Sequence, residues 1–132
     1  MAPPVHGHDN LVSRIEAVRA HLREHLTETV TLAEMAHLAG LSRFRLAKVF
    51  RSLVGVPPHA YLIQLRIEHA KHMLAAGRPI SALAQETGFF DLSHFTKHFK
   101  RHVGISPGVF IKRSLADQGD SEAGPGIDRI GA

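Results

Sequence analysis

Between residues 88 and 107 the chain reads GFFDLSHFTKHFKRHVGISP, a stretch rich in side chains that could do chemistry. Three histidines recur every four residues with three cationic side chains between them: His94, His98, His102, Lys97, Lys100 and Arg101. Imidazoles four residues apart on a helix can bind zinc, whereas lysine and arginine neutralise phosphates. The stretch could therefore be a metal site, an ordinary amphipathic helix or a surface for phosphates.

Helical geometry separates these side chains, because each residue turns the helix by about 100°. An apolar stripe surrounds Phe95 and is expected to be buried: Leu92, Phe99 and Val103. The opposite side carries Ser93, Lys97, Lys100 and Arg101, with His94 at its edge. His102 falls within about 20° of the apolar stripe, so the histidines drift around the helix. HExxH is absent as well. We therefore expect no metal and no cofactor.

The same pattern occurs earlier in the chain, which makes an internal repeat. Ala36 and Gly40 correspond to Ala84 and Gly88, 48 residues later. After one inserted residue the spacing is 49, and four more pairs match: Leu46 with Phe95, Phe50 with Phe99, Gly55 with Gly104, and Pro58 with Pro107. Each copy predicts a helix, a glycine-containing turn and a second helix, which is the helix-turn-helix pattern.

The second helix of the first copy also has a cationic face. With Leu46 and Phe50 turned inward, Phe44, Arg45, Lys48 and Arg51 point away from the core side. They correspond through the repeat to Ser93, His94, Lys97 and Lys100, and neither helix has a carboxylate. Two such faces favour binding to nucleic acid, because lysine and arginine contact phosphates and guanine edges.

The surrounding sequence predicts an all-α fold with seven helices and no strand. Thr31 and Glu34 form a capping box, Ser42 can cap the third helix, and Pro58 can open a long fourth one. The predicted organisation is a flexible N-terminus over 1–9, a first helix-turn-helix subdomain over 10–55, a linker helix over 56–77, a second subdomain over 78–113, and a disordered acidic tail over 114–132.

Composition narrows the function classes. The 132 residues include no cysteine, which excludes disulfides and thiol chemistry, and no apolar run is long enough to span a membrane. Residues 1–113 hold 15 Lys/Arg against 8 Asp/Glu, a net charge of +7 in a chain whose total is +4. We expect a cytoplasmic protein, without enzymatic activity, that binds a polyanion.

At residues 88–110 the chain resembles the signature of the AraC/XylS-type bacterial transcription regulators. The matching positions are Gly88, Phe89, Ser93, Phe95, Lys97, Phe99, Lys100, Gly104, Ser106, Pro107 and Phe110. Arg66, Ala70 and Leu74 match the family's linker helix, and the resemblance covers roughly residues 10–113. It implies two helix-turn-helix units that place their second helices in successive major-groove segments of double-stranded DNA.

The resemblance also implies roles for single residues. Base contacts are expected from Arg43, Phe44, Arg45, Ala47, Lys48, Leu92, Ser93, His94, Thr96 and Lys97. Apart from the resemblance, phosphate contacts are expected from Ser42, Arg51, Lys100, Arg101 and Lys112. The chain is expected to be a short regulator or a DNA-binding domain, bound as a monomer and working with RNA polymerase near the nucleoid. An adaptor with one unit on DNA and the other on RNA polymerase is the alternative.

Overall fold

The computed structural model describes residues 7–123, and their side chains from 10 to 117. Over that range the chain forms seven α-helices and no strand: α1 Gly7–Glu24, α2 Leu32–Ala39, α3 Arg43–Val54, α4 Pro58–Ala75, α5 Ile80–Glu86, α6 Leu92–Val103 and α7 Pro107–Ala123. The predicted all-α class is therefore confirmed. No helix within the described residues is long and apolar enough to cross a bilayer.

The chain divides into two compact units, and the boundary lies between Arg66 and Ile67. That boundary falls in the middle of α4, the helix predicted to be the linker. Tyr61, Leu62 and Ile63 are consecutive and all buried. Because successive residues of a helix point about 100° apart, α4 is buried on more than one side, as its sequence predicted.

The helix starts follow the capping residues in the sequence. The Thr31 hydroxyl accepts a hydrogen bond from the Glu34 N–H at 3.0 Å, and the Glu34 carboxylate accepts one from the Thr31 N–H at 3.5 Å, which confirms the capping box. Ser42 caps α3 by accepting from the Arg45 N–H at 3.1 Å. Asp91 does the same for α6, accepting from the His94 N–H at 2.8 Å.

The two turns share their backbone geometry, which confirms the repeat. Gly40 and Gly88 both have positive φ, at 69° and 85°, a conformation that favours glycine. After each glycine, the next residue donates its N–H to the matched alanine of the preceding helix. The Leu41 N–H lies 3.0 Å from the Ala36 oxygen, and the Phe89 N–H lies 2.8 Å from the Ala84 oxygen.

The core of the first unit is mainly aliphatic, with one pair of aromatic rings, Phe50 and Tyr61. Ile15, Val18 and Leu22 of α1 are at most 1% exposed and join one cluster with residues of α2, α3 and α4: Met35, Ala36, Ala39, Leu46, Phe50, Tyr61 and Leu62. Arg66 is also buried, and its guanidinium donates to the carbonyl oxygens of Leu26 and Glu28 at 2.6 and 2.8 Å. These bonds hold the α1–α2 connection onto α4.

The second unit has an aromatic core. Phe89, Phe95, Phe99 and Phe110 form a continuous chain of ring contacts with centroids 5.5–5.6 Å apart. Phe95 and Phe99 are fully buried, which fixes the side of α6 that faces the core. Thr87 is buried too, and its hydroxyl donates to the Leu83 carbonyl oxygen at 2.5 Å.

Both ends of the chain differ from the prediction. Helix α1 begins at Gly7, inside the stretch expected to be a flexible N-terminus, and α7 continues ten residues beyond 113, into the expected tail. Low apolar content predicts disorder in the tail, whereas the backbone hydrogen bonds of a helix do not depend on apolar side chains. Residues 1–6 and 124–132 lie outside the described part, so the prediction is not tested there.

Candidate nucleic-acid interface

The outer face of α3 is cationic and exposed. Arg43, Arg45, Lys48 and Arg51 are all exposed along it. Phe44, also predicted to point away from the core, is 77% exposed. The Lys48 ammonium lies 5.7 Å from the centre of the Phe44 ring, within range of a cation–π contact. Ala47 is half-buried, so it adds little to this face.

The outer face of α6 matches it. Ser93, Lys97, Lys100 and Arg101 are exposed, and Thr96 is half-buried beside them. The predicted phosphate contacts outside the two helices are also accessible: Ser42, the α3 cap, and Lys112 on α7 are exposed. Each predicted face is therefore continuous within its own unit.

Among the side chains that the structure describes, no acid forms an ion pair with either face. Neither α3 nor α6 contains Asp or Glu. Between residues 10 and 117, where side chains are described, the ion pairs join two arginines, one lysine and one histidine outside α3 and α6 to their acids. Arg43 and Arg45 even lie in the first turn of α3, where the helix dipole favours acids and disfavours cations. This costs a few tenths of a kcal/mol, which suggests that the arginines serve an external anion.

A groove runs beside the α3 face. Its volume is about 660 Å³, and it is lined by Leu11, Phe44, Arg45, Lys48, Val49, Ser52 and Leu53. Apolar and cationic side chains thus meet at one concave surface in the first unit. A nucleic acid offers a complementary group for each, because its phosphates are anionic and the thymine methyl is apolar.

His94 is less open than the helical wheel predicted. It is half-buried, its ring lies 5.6 Å from that of Phe89, and its Nε2 is 3.1 Å from the Nε2 of His98. One imidazole must donate and the other accept, so at least one of the pair is neutral. The Nδ1 atoms of both rings are buried without a hydrogen-bond partner. His94 therefore contacts DNA only if its ring separates from that of His98, or if the edge of its ring faces the DNA.

Two other expectations for α6 are wrong. Leu92 was expected in the buried stripe but is 41% exposed; it is the first residue of α6. That exposure agrees with the base-contact role expected from the family. His102 was expected near the core but is exposed. A side chain on the apolar side of a helix is buried only where another element packs against that part of the helix.

The three histidines of α6 follow one another closely. The His94 and His98 ring centroids are 4.6 Å apart, and those of His98 and His102 are 6.3 Å apart. Burial lowers the pKa of His98, and the nearby charges of His94, Arg101, His102 and Lys97 lower it further. Within the described residues, no three His, Asp or Glu side chains are arranged to hold a metal ion.

One exposed residue next to α6 was missed by the sequence reasoning. Phe90, between the turn glycine and the Asp91 cap, is 89% exposed. The signature names Phe89 and then passes to Ser93, so it gives Phe90 no role. The available signal was the one-residue insertion in the second copy of the repeat.

Comparison with known proteins agrees with this geometry. A family model described as a helix-turn-helix domain matches residues 35–113. The transcriptional activator RhaR of Klebsiella pneumoniae is 34% identical over 103 residues, which are 77% of this chain and 37% of that protein. The HTH-type regulator YbfI of Bacillus subtilis is 42% identical over 81 residues, 61% of this chain and 29% of that protein. The chain thus spans about a third of the length of these curated relatives.

Solved structures share the fold. The DNA-binding domain of the transcription factor AdpA, determined with a target DNA, has a TM-score of 0.76 at 29% identity, covering 80% of this chain and 96% of that one. An AraC-type regulator from Chromobacterium violaceum has a TM-score of 0.73 at 21% identity, covering 78% and 93%. The family match spans more than half of the chain and includes both repeats. The chain belongs to the AraC-type family of helix-turn-helix transcriptional regulators.

Proposed function

We propose that the protein regulates transcription by binding double-stranded DNA at specific sequences through α3 and α6. The observation that carries this proposal is the pair of exposed cationic faces, each on the second helix of a helix-turn-helix unit and each without an acid. The likeness to the AdpA domain that was solved with DNA supports it. A catalytic role has no support in a family of transcriptional regulators.

The two kinds of contact are divided along each helix. In helix-turn-helix proteins the N-terminal part of the second helix reaches the base edges. In the first unit the base contacts are Arg43, Phe44 and Lys48, with Arg45 and Ala47 beside them. The phosphate contacts of this unit are Ser42 and Arg51. In the second unit the base contacts are Leu92, Ser93, His94, Thr96 and Lys97, and the phosphate contacts are Lys100, Arg101 and Lys112.

We further propose that a monomer uses both units on one site. The two faces carry different side chains, so each half of the site should have its own sequence and the whole should lack two-fold symmetry. Lysine and arginine contacts with phosphates release counterions, so affinity should fall steeply with salt. The expected setting is the bacterial cytoplasm, with RNA polymerase as a second partner.

Selection of binding sites from random duplex DNA, followed by footprinting, tests the proposal. We expect an asymmetric motif protected over two major-groove segments by one monomer. If the protein enriches no sequence from the random duplexes, specific DNA binding is contradicted. A footprint over one segment that lengthens when RNA polymerase is added would instead favour the adaptor.

A further inference from the structure

We propose that Phe90 reads the 5-methyl group of a thymine at the edge of the segment occupied by the second unit. This inference rests on the proposed function, because it assigns a specificity-determining residue to the same interface. Phe90 is 89% exposed, whereas Phe50, Phe95 and Phe99 are fully buried and Phe89 is 5% exposed. Phe90 therefore presents an apolar ring to solvent immediately before the cap of α6, where it is accessible to an external apolar partner.

Phe90 is the residue that distinguishes the two repeats. Up to the turn the copies are 48 residues apart, since Leu41 and Phe89 make the same backbone hydrogen bond to Ala36 and Ala84. From the caps onward they are 49 apart, since Ser42 and Asp91 both accept from the N–H three residues later. The inserted residue must lie between Phe89 and Asp91. The first unit has no counterpart of Phe90.

The fold of the second unit does not use the Phe90 ring. A residue just before a helix cap often packs on the fourth residue of the helix, which fixes the direction of the chain. In the first unit Leu41 is suitably placed to do so, because it is partly buried against the core cluster that contains Leu46. In the second unit Phe89 does this, with its ring 5.5 Å from that of Phe95. The inserted Phe90 is left outside this contact.

The position of Phe90 indicates what it contacts. It immediately precedes the cap of α6, and the N-terminal end of this helix is the one expected to reach the base edges. In the first unit the exposed Phe44 lies at the same end of α3. The major groove offers one strong apolar feature, the thymine methyl, and phenylalanine contacts it without a hydrogen bond. Exposed cationic side chains of the same helix, such as Lys97, attract the DNA phosphates to this unit.

A double-mutant cycle tests the contact. The duplex selected by the full chain is prepared with each thymine of the second half-site replaced in turn by deoxyuridine, which lacks only the methyl. Affinity is measured for the wild type and for Phe90→Ala. We expect one deoxyuridine to weaken the wild type by about three- to tenfold, Phe90→Ala to weaken the thymine duplex similarly, and the combination to add little.

Each outcome decides the question. The proposal would be overturned if the affinity losses from Phe90→Ala and from deoxyuridine multiplied at every thymine. It would also be overturned if Phe90→Ala left the affinity unchanged, or if no thymine of the half-site depended on its methyl group. Unchanged helicity of Phe90→Ala excludes misfolding, and Phe90→Leu should retain part of the methyl dependence. Phe44→Ala is the matched control, because it should remain sensitive to the same deoxyuridine. If the wild type binds no duplex at all, the proposed function fails and not only the role of Phe90.

Discussion

The two units build the same motif with different chemistry. In the first, arginines hold the connections between helices: Arg66 donates to two carbonyl oxygens of the α1–α2 connection, and Arg14 donates to those of Ala39 and Gly40 at 3.2 and 3.0 Å. In the second, four phenylalanine rings in contact hold α6 to its neighbours. The turn glycine, the helix cap and the cationic outer face are nevertheless shared.

This difference separates what the motif requires from what can vary. The close turn requires glycine at positive φ, and the second helix requires a capped start. The side chains that pack beneath the second helix can differ, provided that they fill the core and that the buried carbonyl oxygens accept hydrogen bonds. The comparison therefore predicts that the two units lose stability through different substitutions: the first through its arginine hydrogen bonds and the second through its phenylalanine contacts.

The largest effect is expected at Phe99. Phe99→Ala removes a fully buried ring that contacts Phe95 and Phe110, so the free energy of unfolding should fall by about 3–5 kcal/mol. Hydrogen exchange read helix by helix should show the loss in α5, α6 and α7. Phe99→Leu, which keeps most of the volume, should lose much less. Equal loss of protection in α1 and α2 would show that the units do not unfold separately.

Arg66→Met should give the next largest effect, and in the first unit. The variant keeps an unbranched apolar stem but leaves two carbonyl oxygens without their charged donor, at a cost of about 1.5–3 kcal/mol. Burial lowers the pKa of Arg66, yet the guanidinium stays charged near neutral pH. Lys71→Met is the matched control, since Lys71 pairs only with Glu68 on the surface of the same helix. Similar melting temperatures for the two variants would contradict the role of Arg66.

The helices and turns could be predicted because their signals are local. Thr31, Ser42 and the turn glycines act on backbone groups a few residues away, and repetition made a weak pattern specific. Burial of Phe95 and Phe99 followed from helical spacing alone. Arg66 was matched to the family's linker helix, but its two carbonyl partners lie about 40 residues earlier in the chain. Nothing in its neighbourhood could have indicated them.

The details of the candidate site were harder to predict. His94 was placed at the edge of an open face, because a helical wheel contains one helix and no neighbours. Phe89, which lies before the helix, and His98, one turn later, both lie against His94 and half-bury it. The family signature did not predict a role for Phe90, because a signature describes positions that family members share. Phe90 is instead an insertion relative to the other repeat.

The cationic faces should differ from the rest of the surface in their effect on DNA affinity. Lys48→Ala and Lys97→Ala should each weaken binding by about 1 kcal/mol and reduce the salt dependence by about one counterion, since each removes one phosphate or base contact. Lys71→Ala changes the charge equally but lies on α4. Affinities measured over a salt series would refute the assignment of faces if all three variants lost the same amount.

The smallest effect is expected from His98, and it tests whether the second unit alone responds to acid. Because the pKa of His98 is lowered in the fold, the unfolded chain binds a proton first as the pH falls below about 6.5. Stability should therefore be constant above that pH and decline below it, until the folded form is protonated too.

The His98→Gln variant should flatten this decline, measured by denaturant unfolding between about pH 7.5 and 5.5. His72→Gln is the control: it removes an exposed histidine of the second unit that is not among the groups acting on His98, and it should leave the decline in place. Hydrogen exchange should locate the acid sensitivity in α6, because the His94–His98 bond cannot persist once both rings are charged. An equal loss of protection in the first unit would contradict the assignment of the acid sensitivity to His98.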